Sequence, residues 1–183
     1  MKIICLLIFV GFSAQALGGS LAQDAADLYS QRDYSPEGVK KVQESIEIFK
    51  QAIAAEMELL KKNHLQIQLG NAHYFLGQSL EDLEERKSAY QEAMSIGDGV
   101  MEELGVSSQS AHELTEEQAG NLLKVLNEEQ VLLLVNALYL KGTGIGQWGQ
   151  LNGIAQSINL LPQALGLMES IIKLGHEDLH EYG

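Results

Sequence analysis

From about residue 22 onward, apolar side chains recur at threes and fours, the spacing of one helix face. Over Ala22–Asp33, the residues Ala25, Leu28 and Tyr29 share such a face. Tyr34-Ser35-Pro36 interrupts it, with Ser35 suited to an N-cap and Pro36 to the first helical position. Val42, Ile46, Phe49, Ile53 and Leu60 then predict an amphipathic helix from Val39 to about Leu60. Asn63-His64 is read as the joint to a next helix, Leu65–Leu80, carrying Leu69, Ala72, Leu76 and Leu80. Glu81–Leu104 continues as a helix whose acidic start suits the positive end of the helix dipole. Gly105–Ser110 reads as a loop, and Thr115 with Gln118 forms a capping-box pattern that opens a shorter helix. Val131–Lys141 is strongly apolar, and Gly142, Gly144, Gly146 and Gly149 after it read as a turn. Leu151, Ile154, Ile158 and Leu161 resume the period, Pro162 reads as a helix start, and Gly175 as a stop. No segment alternates as a strand does, so the chain reads as all-α.

The first residues follow another logic. Met1-Lys2 precedes an apolar run from Ile3 to Phe12, and small residues at Ala14 and Ala16 follow. This is the layout of a secretory signal peptide over residues 1–16, with a cut after Ala16 or as late as Ala22. About ten apolar residues fall short of the roughly 20 that a membrane-spanning helix needs. Residues 23–183 are then expected to form one helical domain. Cys5, the single cysteine, lies inside the apolar run rather than at the cut, so the exported protein is expected to be soluble and without a lipid anchor.

Two strings repeat along the chain. Leu69-Gly70-Asn71-Ala72-His73-Tyr74 and Leu134-Val135-Asn136-Ala137-Leu138-Tyr139 share Leu-x-Asn-Ala-x-Tyr, 65 positions apart (134 − 69). That is close to twice the ~34-residue period of tetratricopeptide helix pairs. Ser45-Phe49-Ala52, and Tyr90-Ala93 after Gly77, supply the small–aromatic–small pattern of a second repeat helix, with an insertion near Glu81–Arg86. The expected architecture is antiparallel helix pairs in a cryptic tetratricopeptide-like array. A generic antiparallel bundle would share the same interior periodicity.

Charge narrows the function. Twelve Lys and Arg against 25 Asp and Glu give a net charge of −13 in 183 residues, the opposite of what phosphate backbones or anionic membranes attract. A hydrophobic share of 45% with only 2 prolines fits a folded helical protein. One cysteine excludes an internal disulfide framework and a cysteine-based zinc site.

The stretches Leu28–Asp33, Asn71–Gly77 and Ala137–Pro162 together resemble the T-component family of tripartite ATP-independent periplasmic (TRAP) transporters. The resemblance covers essentially all of residues 23–183. It implies a periplasmic accessory subunit that associates with the substrate-binding P-component. It further implies a homo-oligomer, a trimer, whose pore and clefts accept a small organic acid. Three features depart from that family. No lipid-attachment cysteine stands at the cut, Gly97-Asp98-Gly99 and Gly175-His176-Glu177 replace Asp-Pro turns, and the chain ends at Gly183 where relatives continue. The sequence reads as a shortened member or an incomplete one.

Two motifs suggest catalysis, and their contexts oppose it. His176-Glu177-Asp178-Leu179-His180 fits H-E-x-x-H, but Gly175 interrupts the helix that would align both imidazoles, and no third ligand follows at a workable spacing. Gly144-Ile145-Gly146-Gln147-Trp148-Gly149 fits G-x-G-x-x-G, with Glu169 twenty residues on, but outside any strand–turn–helix unit. His64, His73 and His112 are scattered, and Glu81, Asp82, Glu84 and Glu85 read as a solvated face. No enzymatic activity, cofactor or metal is expected.

For binding, Asn136, Tyr139, Trp148 and Asn152 flank the glycine-rich segment, where small residues leave a groove beside aromatics with polar tips. Arg32 offers a cation for an acidic solute. The competing account makes Tyr139 and Trp148 core residues. An exported interaction scaffold of the cell envelope, without a transport role, is the alternative to the transport reading. Protein recovered from the native envelope should begin after Ala16 or Ala22 on N-terminal sequencing, and Cys5→Ser should leave its localisation unchanged; an intact Met1 would contradict export.

Overall fold

Every long segment that the apolar period marks is helical in the computed structural model, which describes residues 20–175. The elements are α1 (Ser20–Ser30), α2 (Pro36–Ala55), α3 (Leu59–Ser79), α4 (Leu83–Glu103), α5 (Glu116–Val125), α6 (Glu128–Leu151) and α7 (Ile154–Lys173), with a 3-10 turn at Ala111–Glu113. Among the described residues there is no strand, and no helix is long and apolar enough to cross a membrane. Residues 1–19 and 176–183, which hold the signal-peptide segment and the H-E-x-x-H motif, lie outside the described residues. Ala22 is buried in the first turn of α1, so a cut after Ala22 would remove a packed turn that a cut after Ala16 leaves whole.

Local chemistry accounts for the helix starts. Ser35 accepts a hydrogen bond from the Gly38 N–H with Pro36 in the first turn, as its sequence position suggests. Asp82 accepts from the N–H groups of Glu84 and Glu85 at 2.9 Å each. Thr115 with Gln118 forms the expected capping box, and Asn127 with Gln130 forms a second at the start of α6. Gly105, Gly153 and Gly175 adopt positive φ where α4, α6 and α7 end.

Three boundaries fall elsewhere than the pattern suggests. The joint after α2 is Glu56–Glu58, not Asn63-His64. The seven-residue gap from Ile53 to Leu60 is a missed beat in the period, and Met57 inside it is fully solvent-exposed. Asn63 and His64 are buried within α3 instead. Gly142, Gly144, Gly146 and Gly149 form no turn: α6 runs unbroken through them to Leu151. Pro162 lies inside α7 on its exposed side rather than at its start. Gly97-Asp98-Gly99 is helical within α4, as the expected helix Glu81–Leu104 has it. The insertion in the pattern is residues 104–127, since only residues 80–82 separate α3 from α4 near Glu81.

Glycine contacts set the register of the bundle. A Cβ on Gly77 would come within 2.6 Å of the Tyr90 ring, and one on Gly70 within 2.3 Å of Leu140. Gly97 backs onto the Ala137 carbonyl, Gly144 onto Met94, Gly142 onto Met168, and Gly149 onto Ser157. These pairs run in opposite directions along α3/α4, α4/α6 and α6/α7, so those helices are antiparallel, and α3 and α6 run parallel. The two repeated strings therefore sit on α3 and α6 with one long helix, α4, between them. Their 65-residue spacing is one helix pair plus an insertion, not two pairs.

The insertion is pinned to α6 and α7 by side chains that donate to its backbone. Lys141 donates to the Ser108 carbonyl at 2.8 Å, Ser170 to that of Ala111 at 2.7 Å, and Lys173 to that of Leu114 at 2.8 Å. Glu102 holds Ser108 from α4, and those hydrogen bonds lower its pKa below the usual carboxylate value. The core grades from α1, α2 and the near side of α3 through a small aromatic cluster to a larger body around α6. Leu69, Ala72, Leu76, Leu134, Ala137 and Leu138 are all buried, as their spacing implies.

Leu134 is fully buried, so Leu134→Ala should cost about 2–5 kcal/mol in urea unfolding. Gly77→Ala should cost about 1–3 kcal/mol, because the Tyr90 ring must move. Gly120 in α5 has open space at its Cβ position, and Gly120→Ala should stabilise by about 0.5–1 kcal/mol. Equal effects at the two glycines would contradict the packing described.

Candidate functional site

Five residues stand out in the sequence as binding candidates, and the fold separates them. Tyr139 and Trp148 are nine residues apart on α6, two and a half turns, and so face opposite ways. Tyr139 packs on the α6–α7 core, whereas Trp148 packs on the cluster of Tyr74, Tyr90, Ala93 and Leu140. The Asn136 amide donates to the Leu132 carbonyl at 2.8 Å within α6. Asn152 caps the end of α6, its amide donating to the Trp148 carbonyl at 2.8 Å. Arg32 lies beyond α1, its guanidinium 4.4 Å from the centre of the Tyr29 ring. Trp148 and Asn152 stay together; the single groove expected beside a glycine turn does not form, because there is no turn.

A different set of groups converges on Trp148. The rings of Tyr74 and Tyr90 meet edge to face at 5.4 Å, an arrangement favoured by the aromatic quadrupole. Gly77 makes room for the Tyr90 ring between α3 and α4. The Trp148 indole Nε1 is buried, as is the Gln78 side-chain oxygen, and neither meets a hydrogen-bond partner among the described residues. Contacts between the parallel helices α3 and α6 join residues 65 to 70 apart, His64 with Glu129 and Gly70 with Leu140, and Gln78 and Trp148 each lie in the last turn or so of their helix. A donor and an acceptor thus lie near the same end of two parallel, neighbouring helices. Arg86 completes the set: its Nε donates to the Gly77 carbonyl at 3.0 Å, holding a guanidinium at the residue before Gln78.

This arrangement offers an aromatic wall, one N–H donor, one carbonyl acceptor and a nearby cation. Such groups suit a small solute bearing a carboxyl or amide function. Sequence reasoning found Trp148 but missed Gln78 and Arg86. Neither carries a signal in the sequence, because their relation to Trp148 exists only once α3, α4 and α6 are neighbours.

Two further polar groups serve the fold. Lys141 is buried, and its Nζ lies 2.6 Å from Asp98 as well as on the Ser108 carbonyl, so the cation is matched rather than stranded. His64 Nε2 contacts Glu129 at 2.7 Å, tying α3 to α6. Among the described residues no group of three or more His, Cys, Asp or Glu side chains could hold a metal ion.

His73 on α3 gives a pH signature. Burial lowers its pKa below 6.5, Lys50 adds to the effect, and Glu92 and Glu47 oppose it. Above about pH 6.5 the imidazole is neutral folded or unfolded, and its contribution is fully present. As pH falls through 6.5 the unfolded chain takes up the proton first, so stability drops toward the lowered folded pKa. The melting temperature should fall between pH 7 and 5, and His73→Gln should flatten that fall; an unchanged slope would assign it to other groups.

No protein-family model, curated protein or solved structure matches this chain.

Proposed function

We propose that the chain is an exported helical-repeat binding protein, the periplasmic accessory subunit of a TRAP-type solute transporter, which docks the substrate-binding P-component and takes a small organic acid. The observation that carries this reading is the order of helix contacts. The helices α1/α2, α3/α4 and α6/α7 form pairs, and the second helix of each pair packs on the first helix of the next. First helices touch one another more lightly, α1 on α3 and α3 on α6. That nearest-neighbour scheme is how tetratricopeptide-like arrays are built. The acid-binding groups are Arg86, Gln78 and Trp148, lying between the second and third pairs. Catalysis has no part in this reading, and neither does a cofactor.

An envelope scaffold without a solute is the second reading, and one observation favours it: the large apolar surface that α7 exposes. The two readings separate optically, because Trp148 is the only tryptophan in the chain. Titrating mono- and dicarboxylates while recording Trp148 emission should give a saturable change. Arg86→Gln should weaken it at least tenfold while the melting temperature stays within a few degrees. Emission unmoved by every carboxylate would favour the scaffold. Loss of stability in Arg86→Gln and Gln78→Ala, with binding intact in the folded fraction, would make these residues structural.

A further inference from the structure

A single peptide bond in the chain joins asparagine to glycine, Asn152–Gly153. These two residues are the whole joint between α6, which ends at Leu151, and α7, which starts at Ile154. Both are exposed, as are Ile154 and Ala155 after them. Gly153 sits at φ +93°, and no atom lies within 4 Å of the place a Cβ would take there. Its N–H donates to the Gln150 carbonyl at 3.4 Å, a long and weak bond. The other asparagines stand in different surroundings. Asn63, Asn71, Asn121, Asn136 and Asn159 lie inside helices, where the next N–H is held in the helical ladder. Asn127 has its side-chain carbonyl engaged by the Gln130 N–H at 2.9 Å, and a glutamate follows it.

We propose that Asn152 is a site of spontaneous deamidation, and that the carboxylate it leaves loosens the α6–α7 joint as the protein ages. The Gly153 amide gives its proton to hydroxide, and its nitrogen bonds to Cγ of Asn152. The Cγ–Nδ2 bond breaks, and Nδ2 leaves as ammonia with a proton from water. Water then opens the five-membered imide. Entry at Cγ leaves aspartate; entry at the main-chain carbonyl leaves isoaspartate, with the chain now running through the former side chain. By either route an amide and water become a carboxyl group and ammonia, and no other reactant is needed. Glycine permits the step: no side chain shields its nitrogen, and the joint is free to swing from ψ 4° at Asn152 until that nitrogen faces Cγ. One restraint must let go first, the bond from Asn152 Nδ2 to the Trp148 carbonyl at 2.8 Å.

The new group disturbs the joint in three ways. A carboxylate cannot donate, so the hold on the Trp148 carbonyl is lost. Its charge stands at the C-terminal end of α6, where the helix dipole disfavours an anion. It is also the first charge within residues 142–168, which contain no Asp, Glu, Lys, Arg or His. Isoaspartate further lengthens a two-residue joint by one carbon, beside the close approach of Gly149 to Ser157.

This chemistry does not depend on what the Trp148 cluster binds. Trypsin should release residues 142–173 as one peptide, which carries Asn152 together with Asn159 as an internal control. After the folded chain is warmed at mildly alkaline pH, mass spectrometry should find the one-dalton gain of amide turned acid at Asn152 and not at Asn159. The gain should come faster as pH rises, and isoaspartate should be among the products. Asn152→Gln should stop it, because the ring it would have to close is six-membered. Aged protein should melt a few degrees lower with a shifted Trp148 emission, and fresh Asn152→Asp should melt lower as well. A reaction at Asn152 at least 100-fold slower in the folded chain than in urea would overturn the proposal, since the joint would then protect the bond. Equal gains at Asn152 and Asn159, or aged protein whose melting and emission are unchanged, would overturn it too.

Discussion

The arrangement of the described chain depends on close helix approach at α6. Three helices, α3, α4 and α7, pack on it, and a helix of ordinary side chains holds neighbours at roughly 8–10 Å. Gly142 lets α7 in and Gly144 lets α4 in, while Gly70 and Gly97 open matching space on α3 and α4. Glycine inside a helix is unfavourable by roughly 0.5–1 kcal/mol relative to alanine. The buried residues of α6, among them Leu133, Leu134, Ala137 and Leu138, more than offset that loss by leaving water. α6 is therefore helical because it is surrounded, not because its glycines favour helix.

This explains what the sequence discloses and what it hides. The period of apolar residues comes from each helix's own buried face, so helix existence, the all-α class and the buried leucines are legible residue by residue. Caps are legible for the same reason, since Ser35 and Thr115 act on N–H groups only two or three residues away. The glycine segment after Lys141 misleads because its helicity is fixed by Met94, Met168 and Ser157, which are remote in sequence. His64 misleads likewise: a polar residue where a joint is expected is held in α3 by Glu129, 65 positions on. The candidate site suffers most. Trp148 is visible as a rare aromatic, but Gln78 and Arg86 look like ordinary surface residues until α3, α4 and α6 are side by side.

Electrostatics divides the molecule in a way that composition alone does not reveal. The acidic excess lies outside residues 142–168, and exposed pairs such as Lys50 with Glu47 or Lys87 with Glu84 soften it only locally. The cations with structural work are withdrawn from that surface. Lys141 is buried between Asp98 and the Ser108 carbonyl, Lys173 holds the Leu114 carbonyl, and Arg86 holds that of Gly77. Two of these three fasten the insertion onto the last helix pair, and the third stands at the aromatic cluster. In a chain short of positive charge, Lys141, Lys173 and Arg86 each hold a backbone carbonyl.

The last pair consequently carries two surfaces of different chemistry on the two sides of one neutral stretch. On the α3–α4 side, Trp148 brings a buried donor to an aromatic wall, and Gln78 holds a buried acceptor near the same end of α3. On the far side, α7 presents an aliphatic seam with no charge to orient a ligand. A polar solute gains from convergent hydrogen-bonding groups and little from aliphatic surface, whereas an apolar helix gains from area and shape. The two surfaces therefore suit different occupants, and α6, packed against α3, α4 and α7, separates them. Filling one need not block the other, since Trp148 faces α3 and α4 while the exposed side of α7 lies across α6 from them.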